Sequence, residues 1–261
     1  MLAITNVQGV IFDVDETLLD NGNGRFSHLD EPLHERTRLL AIHEIGKRHN
    51  LPSLLAVTPE ENLSSFLNAP IHSSEGAIWY ILRTAHVVHS NTIELSNPLL
   101  QEIVAYKDDL YPTLLRTDGK PLPGAVEFVH WLADKGLANH MAIASTAIRR
   151  DINIFLEMTG LAQYFPAERI IAKDSVTHTK PHPEAFDKAF QSLDLPDTER
   201  GNILAFEDNP RGIMSAKAAG LYACGITNVF SREAFASSES APDLIADSFD
   251  EFRSLLEQAQ A

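Results

Sequence analysis

Short apolar runs that end on acidic or hydroxyl residues recur along this chain, separated by stretches with a helical period. Val10-Ile11-Phe12 lead into Asp13, Met141-Ala142-Ile143-Ala144 into Ser145, and Ile203-Leu204-Ala205-Phe206 into Glu207. Such β-branched and apolar runs suit strands buried on both faces that deliver polar side chains at their carboxyl ends. Arg169 to Ala172 and Leu221 to Cys224 are shorter candidates. Between them, the spacing predicts helices over Ala125 to Lys135, Ile148 to Thr159, Pro183 to Ser192 and Gly212 to Ala219. Strands alternating with helices imply an α/β fold, a doubly wound parallel sheet with helices on both faces. Ligands of such sheets bind beyond the carboxyl ends of the strands.

The segment from Pro32 to Leu115 reads differently. Leu33, Leu40, Ile42 and Ile45 keep a helical period, and Glu60 to Phe66, Glu75 to Val88 and Pro98 to Leu115 follow as helices with no strand between them. An all-helical module inserted after the first strand is expected. It takes residues 22–116, with 1–21 and 117–261 forming the α/β core. Asn21-Gly22-Asn23-Gly24 and Thr117 to Gly124 are turn-rich at the two crossings. Trp79 and Tyr80, with Ile78 and Ile81 around them, are expected in the core of that module and not as a substrate platform. Ser237 to Pro242 is expected as a loop before a last helix from Asp250 to Gln258.

Composition narrows the function. Hydrophobic residues at 44% and charged residues at 22% are ordinary for a globular chain. A formal net charge of −15 disfavours a nucleic-acid or anionic membrane partner, since both need a positive surface. A single cysteine, Cys224, excludes an intramolecular disulfide. The first residues lack a signal-peptide pattern, and no apolar run reaches membrane-spanning length. A cytoplasmic protein is the expectation.

Four clusters carry candidate chemistry. In Asp13-Val14-Asp15-Glu16-Thr17, a continued strand would put Asp13 and Asp15 on one face. Two close carboxylates call for a cation or a shared proton. Magnesium needs hard oxygen ligands, and phosphoryl transfer needs a nucleophile and a proton donor. Ser145-Thr146 can offer donors to a phosphate at a helix start. Lys180, stiffened by Pro181 and Pro183, is a point charge suited to phosphate. Glu207-Asp208 can complete a metal site. Each has a plainer structural alternative: solvated acids in a turn, a helix cap, or a surface lysine. Together, however, they form the inventory of a phosphoryl-transfer site.

These ordered motifs resemble those of the haloacid-dehalogenase-like superfamily. The likeness is to its helical-cap branch of β-phosphoglucomutase-like enzymes and sugar-phosphate phosphatases. DxDx[TV] is met by Asp13 to Thr17, the strand-ending hydroxyl by Ser145, KPxPxxF by Lys180 to Phe186, and the acidic pair by Glu207-Asp208 running on to Gly220. The resemblance implies a Rossmann-like core and a magnesium-dependent phosphatase acting on a small phosphorylated metabolite, a sugar or polyol phosphate, through an aspartyl-phosphate. It implies Asp13 as nucleophile and Asp15 as acid–base. The ion would be held by Asp13, the Asp15 carbonyl and Asp208, with Glu207 supporting. Ser145, Thr146 and Lys180 would bind phosphate, and His34 would contact substrate from the cap, which closes over it.

A phosphomutase would share Asp13, Asp15 and the metal site. Mutases of this branch grip the second phosphate with basic cap residues, and Leu67 to Ala77 has no lysine or arginine, with neither His72 nor Arg83 nearby an obvious substitute. The phosphatase is therefore favoured over the isomerase. A dehalogenase would need neither Asp15 nor magnesium, and a silent binding protein would be expected to lack a motif residue. Glu16 stands where the family commonly has glycine, and Asn21 to Asp30 reads as an insertion. Among the eleven histidines, no pair is read as repeating in a zinc-site pattern with cysteines or acids, and most are expected to be surface or packing residues.

Overall fold

The computed structural model describes residues 2–71, 73–90, 92–236 and 241–259. His72 and most of the expected Ser237 to Pro242 loop lie outside them. The chain begins with β1 (Gly9–Phe12) and β2 (Leu19–Asp20). Five helices follow: α1 (Leu33–Arg48), α2 (Pro52–Leu55), α3 (Pro59–Asn68), α4 (Ser74–Thr84) and α5 (Pro98–Asp118). Next come β3 (Lys120–Pro121), α6 (Ala125–Leu132), β4 (Met141–Ala144), α7 (Arg149–Thr159), β5 (Ile170–Ile171) and α8 (Glu184–Gln191). The chain ends with β6 (Ile203–Glu207), α9 (Pro210–Ala218), β7 (Tyr222–Ile226), α10 (Arg232–Ala236), β8 (Leu244–Ala246) and α11 (Phe249–Gln258). No helix among the described residues is long and apolar enough to cross a membrane.

Two compact units result, Met1–His28 with Gly119–Ala261, and Leu29–Asp118. The first holds a six-stranded sheet in the order β5-β4-β1-β6-β7-β8, every pair parallel. Ile11 sits in register with Ala142 on one side and Ala205 on the other. Those positions, with Ala144 and Ala223, pack against Phe186, Phe190, Ile213 and Ala216 of α8 and α9. The small side chains on this face leave room for large apolar groups from the helices.

Alternation sends the next residues to the opposite face. There Phe12 stacks on Phe206 at 5.1 Å, and Phe206 meets Phe128 of α6 edge-on at 5.3 Å and Phe252 of α11 at 5.0 Å. Two antiparallel residue pairs between β2 and β3 and the edge strand β8 were not foreseen from the sequence, being too short to show a period.

The helical unit buries Ile42, Ile45, Leu54, Ile78, Trp79, Leu82, Leu100 and Ile103 together. Ile78, Trp79 and Ile81 are thus core, as their pattern suggested, whereas Tyr80, expected with them, is half-buried and lies outside the cluster. Leu40 is not: it is 44% exposed, and Leu39 turns inward instead. The buried stripe of α1 runs through Thr37, Arg38, Ala41, Ile42 and Ile45, which leaves residue 40 on the outer side. Thr58 and Glu61 close a capping box at the start of α3. Buried Arg38 is held at its Nε by Asn62 Oδ1 and at its Nη2 by Asn62 O, both at 2.8 Å.

Residues 22–28, expected in the helical insert, cluster with the sheet unit instead. The cause is a set of hydrogen bonds. Glu16 Oε1 accepts the Asn21 and Asn23 N–H groups at 3.1 and 2.9 Å, while Asn228 Nδ2 donates to Glu16 Oε2 at 2.8 Å. The Asn228 carbonyl accepts from the Arg25 N–H at 3.0 Å. Asp20 accepts from Gly22 N and from both His28 N and Nδ1. A Cβ on Gly24 would lie 2.0 Å from Asn228 Oδ1, so only glycine lets the loop approach this closely.

The ring cluster sets a stability test. Phe206→Ala removes the shared partner of four rings and is expected to destabilise by about 3–5 kcal/mol in urea unfolding. A loss below about 1.5 kcal/mol, less than ordinary burial of a phenylalanine supplies, would contradict a stabilising role for the cluster.

Candidate active site

Three neighbouring strands end at one place. β1, the central strand, delivers Asp13 just past its last residue, and the Asp13 N–H donates to Phe206 O at 3.0 Å. β4 delivers Ser145, and β6 ends on Glu207 followed by Asp208. All four side chains are buried. Lys180 reaches the same point from the loop before α8. Its Nζ donates to Asp13 Oδ1 at 2.7 Å, Ala144 O at 2.7 Å and Glu207 Oε1 at 2.5 Å. The backbone behind it is tied down, since Arg211 Nη2 donates to Lys180 O at 3.0 Å.

The carboxylates of Asp13, Glu207 and Asp208 have ligand atoms within 4.8 Å of one another. Three carboxylates against one ammonium leave a net charge of −2 in a buried place when all are ionised. Burial pushes the acids up against the pull of Lys180, with repulsion from Glu207 and Asp13 adding at Asp208 and from Asp13 at Glu207: Asp208 stands well above the usual carboxylate range, Glu207 rises to about 7 and Asp13 also shifts upward. Burial lowers the Lys180 pKa, but the two carboxylates on it outweigh that and raise it. A hard, all-oxygen donor set with uncompensated negative charge fits a divalent cation such as magnesium. Asp208 also accepts from Thr17 Oγ1 at 3.4 Å.

Gly212 makes this arrangement possible. A Cβ there would fall 1.9 Å from the Glu207 carboxyl carbon, so the first turn of α9 leaves the space that the carboxylate fills.

Asp15 is placed differently from a continued strand. β1 ends at Phe12, and Glu16 adopts φ 60°, the left-handed region where glycine is easiest. The Asp15 carboxylate lies outside the three-carboxylate cluster and accepts from Asn21 Nδ2 at 2.6 Å. It is still near enough to raise the Asp13 pKa. Asn21 and Asn228 are the residues that sequence reasoning missed; one stands in a turn dipeptide and the other follows a strand, so neither carries a motif. Ser145 hydrogen-bonds Asp13, and its Oγ accepts the Ala147 N–H at 3.2 Å. Thr146 is exposed beside it. His34 lies in the helical unit, stacked on Tyr111 with ring centroids 4.4 Å apart.

A model of haloacid dehalogenase-like hydrolases matches residues 7–220. The chain belongs to the haloacid dehalogenase-like hydrolases. Pyrophosphatase PpaX of Anoxybacillus flavithermus is 33% identical over 129 residues, a match spanning 49% of this chain and 56% of that protein. Fructose-1-phosphate phosphatase YqaB of Escherichia coli is 24% identical, over 84% of this chain and 95% of that one. A solved family IA hydrolase, variant 3, from Entamoeba histolytica is 20% identical and superposes with a TM-score of 0.66, over 97% of this chain and 99% of that one. The fold of this hydrolase is therefore the Rossmann-like sheet of the family with a helical cap region.

Packing at Gly212 gives a direct test of the site's geometry. Gly212→Ala is expected to cost about 1–3 kcal/mol in chemical denaturation, because the new methyl must displace the Glu207 carboxylate. Gly201→Ala, whose Cβ would meet nothing within 4 Å, is the control and should stay within about 0.5 kcal/mol. Equal effects of the two would show that the Glu207 position does not depend on this gap.

Proposed function

We propose that this hydrolase is a magnesium-dependent phosphatase that cleaves small phosphate monoesters through an aspartyl-phosphate on Asp13. The observation that carries the reading is the meeting of Asp13, Ser145, Lys180, Glu207 and Asp208 at the carboxyl ends of three adjacent strands. Sugar or polyol phosphates are the proposed substrates, a class to which the substrate named for the Escherichia coli relative belongs.

In the proposed mechanism an Asp13 carboxylate oxygen attacks phosphorus in line, and the bond from phosphorus to the ester oxygen breaks. Asp15 gives its proton to the departing oxygen. Asp15 then takes a proton from water, whose oxygen attacks the same phosphorus; the Asp13–phosphorus bond breaks and phosphate leaves. Asn21 keeps the Asp15 carboxyl oriented between these two transfers. Lys180 opposes the upward shift that burial gives Asp13 and, with Ser145 and Thr146, neutralises and hydrogen-bonds the phosphoryl oxygens. Asp13, Asp208 and the Asp15 backbone carbonyl would hold magnesium, with Glu207 supporting from its place on Lys180. When bound, the ion would supply positive charge that offsets the crowded carboxylates and the charge developing on the phosphoryl group.

Two readouts test this. Phosphate release from a panel of small esters is expected to require magnesium and to fall by at least about 10³-fold in Asp13→Asn. Magnesium is also expected to raise the melting temperature of the wild type but not of Asp208→Asn, by preferential binding to the folded state. Release that persists without divalent metal, or that survives in Asp13→Asn, would overturn the reading.

A further inference from the structure

A second cluster of metal-ligating side chains lies on the surface of the sheet unit, apart from the carboxylates above. His178, His182 and Glu184 each offer a ligand atom, all within 4.8 Å of one another. His178 and His182 are separated by three residues, within the spacing common in zinc sites, and the third ligand, Glu184, opens α8 two residues later, a pairing not foreseen from the sequence. We propose that His178, His182 and Glu184 form a binding site for a borderline divalent transition ion of the zinc type.

The donor set is two imidazoles and one carboxylate, with a fourth position open to water, which suits zinc-class ions and not magnesium. The ligand atoms are close enough to share an ion, and one stacked imidazole must turn so that both in-plane lone pairs converge on it. His178 Nδ1 lies 3.0 Å from Glu184 Oε2, and the His178 and His182 rings stack with centroids 4.5 Å apart. Two ligands on a tetrahedral ion at about 2.0–2.1 Å lie roughly 3.3 Å apart, so a small opening of this contact admits the metal. The rings face a shallow depression that Thr177, Thr179, Pro181 and Pro183 also line. His178 is 62% exposed, which leaves an entry path.

Hydrogen bonds within the segment already fix Glu184 and the loop before it, so binding need not order them. Glu184 Oε1 accepts from Thr177 N at 3.0 Å and Lys188 Nζ at 2.7 Å, and Oε2 accepts from His178 N at 2.8 Å. These donors hold the carboxyl anionic, far below its ordinary range. Lys188 sits on the oxygen that does not face His178. Ser215 Oγ donates to His182 O at 2.7 Å, and His182 N to Thr179 O at 3.1 Å.

The exchange on binding is simple. The metal replaces the proton between His178 Nδ1 and Glu184 Oε2, and that ring keeps a proton by carrying it on Nε2. His182 gives up the 3.2 Å hydrogen bond that its Nδ1 accepts from Glu184 N, whichever ring nitrogen takes the metal. One charge-assisted and one neutral hydrogen bond are traded for three metal bonds.

The test is a Zn²⁺ titration of the full chain against a chromophoric chelator, in excess Mg²⁺ to fill any hard-oxygen site. One equivalent should bind with micromolar affinity. His178→Ala and His182→Ala should each weaken it by more than about tenfold, since even outer-shell partners of a metal are worth about 10–100-fold. Asp208→Asn should leave it unchanged. Zn²⁺ should also raise the melting temperature of the wild type and not of either histidine variant. Both variants change exposed side chains, so their melting temperatures without zinc report whether they fold. Absence of micromolar binding, affinity unchanged in both histidine variants, or affinity lost in Asp208→Asn would each overturn the proposal. None of these outcomes bears on phosphate release, so the two readings fail separately.

Discussion

Lys180 Nζ makes three hydrogen bonds of 2.5–2.7 Å, to Asp13, Glu207 and the Ala144 carbonyl, from a buried position. Its charge is what allows the ends of β1 and β6 to carry acids side by side. Removing one member of a buried ion pair typically costs about 3–5 kcal/mol, because the remaining charge loses its only compensation. Here one ammonium serves two carboxylates, and a third, Asp208, lies beside them. The site is therefore under-compensated by design of its residue types: it is held together by a lysine and left short of positive charge. A divalent cation and a transferring phosphoryl group, taken together, add charges of both signs that such a pocket can balance.

The sheet sets where those groups stand. Alternation along β1 sends Ile11 towards α8 and α9 and Phe12 towards α6 and α11, so both faces are sealed and only the strand end is left for Asp13. The alanines of β4, β6 and β7 make room for Phe186 and Phe190 of α8, whose first turn follows directly on the Lys180 loop. Glu16 extends the same economy of position. Its left-handed backbone is strained for a residue with a Cβ, yet its carboxylate gathers three donors from the 21–23 turn and Asn228. A glycine there would relieve the backbone and lose that clamp. Burial pushes the Glu16 carboxyl up to about 7, which measures how far it has been taken from water.

Much of this was legible in the sequence. Val10 to Phe12, Met141 to Ala144 and Ile203 to Phe206 read as strands because nothing polar interrupts them, and the polar residue that follows each one marks its end. The family could be recognised by resemblance, since its motifs are met in order by Asp13-Val14-Asp15, Ser145, Lys180-Pro181 and Glu207-Asp208 on those strand ends and loops. What could not be read depends on contacts distant in the chain. Asn228 lies 212 residues from Glu16, and nothing local says that it would pull residues 22–28 onto the sheet unit. Asn21 looks like a turn residue until its side chain is seen on Asp15. Leu40 fits a helical period, but the stripe of α1 that is buried was decided by its packing partners.

The most direct test of Asp13 as nucleophile is chemical trapping during turnover. A small ³²P-labelled phosphate ester is mixed with enzyme and magnesium, quenched in acid within the first turnover, and divided: one half is peptide-mapped under acid for label, and the other is reduced with borohydride, which releases the labelled phosphate, before its residue 13 is identified. An acyl phosphate at Asp13 predicts acid-stable label on the peptide containing residue 13 and reduction of that side chain to homoserine. Label on a different residue, or ester hydrolysis that continues undiminished in Asp13→Asn, would contradict the account.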